Sequence, residues 1–255
     1  MTPAGDVDYE ERGAGYAQRR RSDPRIAALV RAGLGRSRSV LNVGAGAGSY
    51  EPGDLVVTAV EPSATMRGQR PAHLVVAIDA VAEELPFADD SFDAAMATVT
   101  IHQWSDADRG LRELRRVSRG PVVLLTFDGD ALKDFWLAHY APAMIEAERR
   151  RYPSIDHVRE VLGGRSTVAV VPVPRNCLDG FTEAFYAQPE AFLDDGVRRA
   201  QSAWGFISHD EERASVARLR DDLTSGRWDQ RFGHFRALPQ HLGSLRLIVA
   251  EPAAR

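Results

Sequence analysis

Two residue types are nearly absent from this chain of 255 residues: Cys177 is its one cysteine and Lys133 its one lysine. A single thiol excludes an intramolecular disulfide, a CxxC pair and a cysteine-rich zinc site. The seven histidines offer no HxH, HxxxH or HExxH spacing, so no metal site is expected. No apolar run approaches the roughly 20 residues that cross a bilayer, and the segment MTPAGDVDYEERGAGY lacks the apolar core of a signal peptide. The expectation is a cytoplasmic protein with no membrane attachment. A net charge of -4 has the wrong sign for a protein that gains affinity by neutralising many phosphates, so no nucleic-acid partner is expected. The one basic cluster, Arg19, Arg20 and Arg21, reads as a solvated helix face.

What is present is an ordinary globular composition, 44% hydrophobic and 27% charged, with no internal repeat, low-complexity tract or flexible linker. It predicts one domain over residues 1–255. Short apolar runs at 39–43 (SVLNV), 55–60 (LVVTAV), 74–78 (LVVAI), 92–101 and 121–127 (PVVLLTF) read as strands. Between them, 63–69 reads as a short helix stopped by Pro71, and 105–118 as a helix with apolar residues at Leu111, Leu114 and Val117. Residues 130–164 read as helices ending at Gly163 and Gly164, followed by a strand at 167–173, helical stretches over 180–227 and a closing strand at 245–250. Strands alternating with helices predict an α/β, Rossmann-like, doubly wound sheet of seven mostly parallel strands, with helices on both faces and an inserted helical cap. Its parts are a helical lid at 1–38, a ligand-binding half at 39–128, and cap insertions with the final strands at 129–255.

In open parallel sheets ligands bind beyond the carboxyl ends of the strands, where strand order reverses. The first strand runs into GAGAG, so Gly44, Gly46 and Gly48 form a turn that brings backbone close to a ligand. The spacing is GxGxG, with Ser49 in the last place of the GxGxxG dinucleotide fingerprint, which points away from NAD. Glu61, ending the second strand, is placed to accept hydrogen bonds from both hydroxyls of a ribose; its plainer role is to help cap the helix that starts near Ser63.

VLNVGAGAGSYEP, VTAVEPSATM, AEELPFADDSFDAAMATVTIHQW and LRELRRVSRGPVVLLT resemble the successive motifs of class I S-adenosylmethionine-dependent methyltransferases, in the subgroup acting on small molecules. The likeness covers about residues 16–127. It implies S-adenosylmethionine as cofactor and a small-molecule acceptor as substrate. By that resemblance Gly44, Ala45 and Gly46 pass the methionine end of the cofactor, and Glu61, followed by Pro62, holds the ribose. Val81 and Ala82 meet the adenine, and Ala97 and Thr98 the methionine amine. Tyr16, Arg20 and Pro24 resemble the YxxxRxxxP pattern of the family's N-terminal helix, which closes over the cofactor. The sequence departs from the family at Asn42 and Val81, where acids are usual. Only SYEPGDLVVTAV separates Gly48 from Glu61, too little for a full helix, so a loop is expected there. The arginine- and alanine-rich composition suggests a GC-rich genome, and with the subgroup resemblance places the chain in bacterial secondary metabolism.

Methyl transfer is accelerated by holding a nucleophile in line with the sulfonium methyl, and a base is needed only when the acceptor must lose a proton. His102, just past the fourth strand, is the candidate base, and His139 a weaker one. The plainer role of His102 is to shape the cofactor pocket or to pack on Trp104. Of the aromatics Phe135, Trp136, Tyr140, Phe181, Phe185, Tyr186, Trp204 and Phe206, a few are expected in an acceptor pocket and the rest in the core. Two alternatives stay open at this point: an NAD-dependent oxidoreductase, and a non-catalytic S-adenosylmethionine-binding partner protein.

Overall fold

The computed structural model describes residues 20–253. Its centre is a six-stranded sheet of β1 (Ser39–Val43), β2 (Val56–Val60), β3 (Ala94–Thr98), β4 (Val122–Phe127), β5 (Arg165–Val170) and β8 (Leu245–Glu251), in the order β2-β1-β3-β4-β8-β5. β2, β1, β3 and β4 run parallel, while β8 is antiparallel to both β4 and β5. Two short strands, β6 (Val173–Pro174) and β7 (Gln240–His241), pair apart from it.

The sheet has six strands where seven were expected. Residues 74–78 touch β2 through a single parallel bridge, Val60 to Ile78. Val76 is 90% exposed, so the apolar run has no second layer to pack against. The run at 167–173 also divides: the ladder stops at Val170, Pro172 cannot donate to it, and Val173 starts the separate pair.

Side chains alternate across the parallel strands as the pleat requires. Val40, Met96, Val123 and Leu125 face one layer, with Ile26 and Val30 of the helix Pro24–Gly33. Leu41, Val43, Ala95, Ala97 and Leu124 face the other, with Leu111, Leu114 and Val117 of Ala107–Val117 and Val158 and Leu162 of Ile155–Leu162. Helices thus cover both faces. Asp106 caps Ala107–Val117 by accepting from Arg109 N at 2.9 Å. The first layer continues into the cap, where Phe135, Trp136, Tyr140, Tyr186, Phe192 and Trp228 form a buried aromatic cluster. Of the eight aromatics singled out in the sequence, Phe135, Trp136, Tyr140 and Tyr186 belong to this core.

The chain leaves β1 towards β2 on one side and returns to β3 on the other. The crevice of such a sheet opens beyond the carboxyl ends of these three strands. Gly44, Glu61 and Val99 stand there, each one residue past its strand.

Candidate functional site: two adjoining cavities

The glycine turn has an internal cause as well as a ligand-facing one. Gly44, Gly46 and Gly48 have φ of +66°, +50° and +96°. A Cβ on Gly44 would lie 2.3 Å from Thr100 Oγ1, and one on Gly48 2.2 Å from Leu74 Cδ1. At Gly46 the nearest neighbour is the flexible Met66 Cε, 3.3 Å away. Gly44 and Gly48 are thus fixed by packing, and at Gly46 an added Cβ would press only on the end of a flexible side chain.

A loop does replace the helix after the turn, held by charges the sequence did not reveal. Glu51 and Arg70, with side chains 2% and 4% exposed, pair through Arg70 Nη2 at 2.7 and 2.9 Å from the two carboxylate oxygens. Arg70 Nη1 also donates to the Gly46 carbonyl at 3.3 Å, and Asn42 Nδ2 to Glu51 at 3.1 Å. Asn42 therefore serves the loop from inside the core, which accounts for an amide in place of an acid.

Glu61 is 8% exposed and accepts from Gly46 N at 2.8 Å and from Ser63 N at 2.9 Å. Burial pushes its carboxyl above the usual range, opposed by those two amides. The carboxylate both steadies the glycine turn and approaches the start of the helix Ala64–Gly68, whose cap is Ser63. Two backbone conformations at the site are strained. Tyr50 has φ +62° and Val99, a β-branched residue, +52°.

Arg20, Gly44, Ala45, Gly46, Glu61 and Thr98 line one cavity, with Tyr50, Met66, Val99, Gln103 and Asp179. Pro62, Val81, Ala82 and Ala97 are not in its wall. Ala82 and Ala97 are buried in the second core layer. Tyr16 lies outside the described residues. Asp179, which the sequence reading passed over, accepts from Arg20 Nε at 2.5 Å and from Tyr50 Oη at 2.9 Å. It ties the chain before the first described helix to the cap, across the cavity. No local pattern marks Asp179, because its partners are 129 and 159 residues away.

A second cavity adjoins the first and shares Arg20, Val99 and Gln103 with it. His102 stands in its wall with Phe127, Tyr152 and Phe181. His102 packs on Tyr152, ring centroids 4.5 Å apart, rather than on Trp104. Its Nε2 lies 3.2 Å from the Gln103 amide nitrogen, and its buried Nδ1 has no partner among the described residues. Burial, aided by the positive charges of Arg151 and Arg20, holds its pKa well below the ordinary value. His139 is exposed, faces Arg231 and is in neither wall. Among the described residues no cluster of three or more metal-ligating side chains occurs, and no helix is long and apolar enough to cross a membrane.

The depressed histidine predicts a pH-dependent stability. In the unfolded chain the ring binds a proton below about pH 6.5, while in the folded chain it stays neutral to well below that. The unfolded state then holds more protons, so stability present above about pH 6.5 is lost as pH falls. The loss is up to about 1.4 kcal/mol for the first pH unit. Urea unfolding at pH 7.5, 6.5 and 5.5 should show this decline in the wild type and a smaller one in His102→Phe.

The family model described as Methyltransferase domain matches residues 41–125, the span from β1 to β4. A solved structure from Anabaena variabilis, described as a methyltransferase from an antibiotic biosynthesis pathway, superposes with a TM-score of 0.85 at 29% identity. It covers 92% of this chain and 99% of that one. The uncharacterized methyltransferase YcgJ of Bacillus subtilis is 32% identical over 132 residues, 48% of this chain and 50% of that protein. The chloroplastic 2-methyl-6-phytyl-1,4-hydroquinone methyltransferase 2 of rice is 33% identical over 118 residues, 41% of this chain and 33% of that protein. The matches span half or less of these curated relatives. Residues 41–125 are a methyltransferase domain, and the chain has the fold of class I S-adenosylmethionine-dependent methyltransferases.

Proposed function

We propose that the protein transfers a methyl group from S-adenosylmethionine to a small organic acceptor. The observation that carries this reading is the pair of adjoining cavities. One lies under the glycine turn with Glu61 in its wall. The other holds aromatic rings and His102, and Val99 and Gln103 stand in both walls.

The first cavity suits the cofactor by its chemistry. The Gly46 side leaves room for close approach of backbone, and Glu61 offers carboxylate oxygens to ribose hydroxyls. Thr98 and Ala45 line the same cavity, and we assign them to the methionine moiety. When bound, the cofactor supplies an electrophilic methyl on a sulfonium. The chain's own part is to hold the acceptor atom in line with that methyl and to exclude water around it. His102 meets the acceptor from the second cavity. The likeness to a structure assigned to an antibiotic pathway supports a role in bacterial secondary metabolism.

Calorimetry tests the reading. S-adenosylmethionine and its demethylated product, S-adenosylhomocysteine, should bind, and NAD should not. Glu61→Ala should weaken both sulfur nucleosides by about tenfold to a hundredfold, the worth of hydrogen bonds to a charged group. Binding of NAD without either sulfur nucleoside would overturn it, and unchanged affinity in a folded Glu61→Ala would leave Glu61 only its bracing of the turn.

A further inference from the structure

The second cavity carries information about the acceptor, on the assumption of the cofactor assignment above. Its apolar part is aromatic, with Phe181 and Tyr152 inclined at 60° and 71° to the Phe127 ring. Phe127 and Phe181 have ring centroids 5.4 Å apart, and Phe127 and Tyr152 5.7 Å apart. Its charged side chains already have partners. Glu148 takes Arg151 Nη1 at 2.7 Å and Tyr152 Oη at 3.1 Å, Glu183 takes Ser244 N and Oγ, and Arg20 takes Asp179.

Two nitrogens of wall residues have none among the described residues. Gln201 is 6% exposed. Its Oε1 accepts from Thr182 Oγ1 at 2.7 Å, which turns the amide so that Nε2 is left without a partner. His102 is 8% exposed, and its Nδ1 is likewise alone. The contact from the Gln103 amide nitrogen to Nε2 places an N–H on the ring lone pair there, so the imidazole proton sits on Nδ1. Both orphans are donors. Leaving a buried donor unmet is costly, and such groups in a cavity wall mark what the ligand must bring.

We propose that the acceptor is a planar ring compound bearing an acidic hydroxyl, a phenol or enol bound as its oxyanion, held by the N–H groups of His102 Nδ1 and Gln201 Nε2. On this reading His102 is a donor and not a base. A ring kept neutral to low pH is a poor proton acceptor near neutrality but a constant donor. The acceptor arrives ionised, or loses its proton to solvent as it binds. The two donors fix the oxygen against the rings while it faces the cofactor cavity across Val99 and Gln103.

The test uses 4-nitrophenol, whose anion absorbs in the visible, and nitrobenzene, which has the ring without the hydroxyl. Both are titrated into the protein with and without saturating S-adenosylhomocysteine. The nitrophenolate should bind about tenfold or more tighter than nitrobenzene, as a hydrogen bond to a charged group implies. Gln201→Glu keeps the shape and replaces the donor by an acid. Nitrophenol bound to the wild type should ionise at a pH lower by about one unit or more than when bound to Gln201→Glu, a difference that packing alone would not produce. His102→Phe should reduce the preference for the anion, with S-adenosylhomocysteine affinity unchanged in both variants. Equal binding of the two probes, binding of neither, or an unchanged ionisation in Gln201→Glu overturns the proposal. A protein that discriminates the probes but fails to bind S-adenosylhomocysteine keeps it and sinks the cofactor assignment instead.

Discussion

Replacing Arg70 with methionine should lower the unfolding free energy by about 3 to 5 kcal/mol, the cost of leaving one partner of a buried ion pair uncompensated. The guanidinium does three things from one buried position. It holds both oxygens of Glu51, takes the Gly46 carbonyl, and donates through Nε to the Val75 carbonyl at 3.0 Å. Without it, Glu51 keeps the Asn42 amide as its one side-chain partner among the described residues. The double variant Arg70→Met with Glu51→Leu should recover much of the loss, because replacing both charges by apolar side chains removes the stranded one. The recovery separates ion-pair loss from a packing defect, since a defect at Arg70 would persist in the double variant. Denaturant midpoints at pH 7.5 measure the stabilities. Calorimetry should also show weaker S-adenosylmethionine binding in the double variant, because the Gly46 carbonyl has lost its brace. A single variant within about 1 kcal/mol of the wild type would mean that the pair does not hold the turn.

That pair shows where sequence reading stops. β1, β3, β4 and the helix Ala107–Val117 were legible because each is a local run with its own period and end signals. The glycine turn and Glu61 were legible because they follow strand ends at short range. The edge was not. Residues 74–78 have the composition of a strand, yet pairing depends on a neighbour that offers a full row of groups, and Arg70 takes the Val75 carbonyl from outside the sheet. Of the two cavities, the one under the glycine turn was legible in part, through Arg20, Gly44, Ala45, Gly46, Glu61 and Thr98, and the adjoining one was largely hidden. Of the eight cap aromatics singled out, only Phe181 reaches the second cavity. Two more of its rings, Phe127 and Tyr152, come from the end of β4 and the end of the helix Pro142–Arg151. Asp179 and Gln201 were missed because each acts through partners set by the tertiary fold. Val99 was missed because nothing in a valine predicts positive φ.

Gly46→Val should reduce S-adenosylmethionine affinity by more than about 100-fold, over 2.7 kcal/mol of binding free energy, while the fold survives. Three features combine at this residue. Its φ of +50° is open to glycine and costs a β-branched residue about 1 to 3 kcal/mol. Its N–H donates to Glu61, so a backbone that shifts to relieve the strain moves the carboxylate in the same cavity. Gly46 and Met66 both stand in the cavity wall, and an added Cβ would already meet Met66 Cε at 3.3 Å, so the larger valine should crowd the wall where the cofactor is proposed to pass. The control is Gly35→Val. Gly35 has φ +59° and nothing within 4 Å of an added Cβ, and it is in neither cavity of the site. That variant carries comparable strain with no steric contact, so it should lose a similar amount of stability and no affinity. Gly44→Ala supplies the opposite contrast. There the methyl would meet Thr100 at 2.3 Å, and the expected damage falls on folding before it reaches binding. If Gly46→Val bound the cofactor as well as Gly35→Val does, strain would be its only effect, and the cofactor would not pass the glycine turn at Gly46.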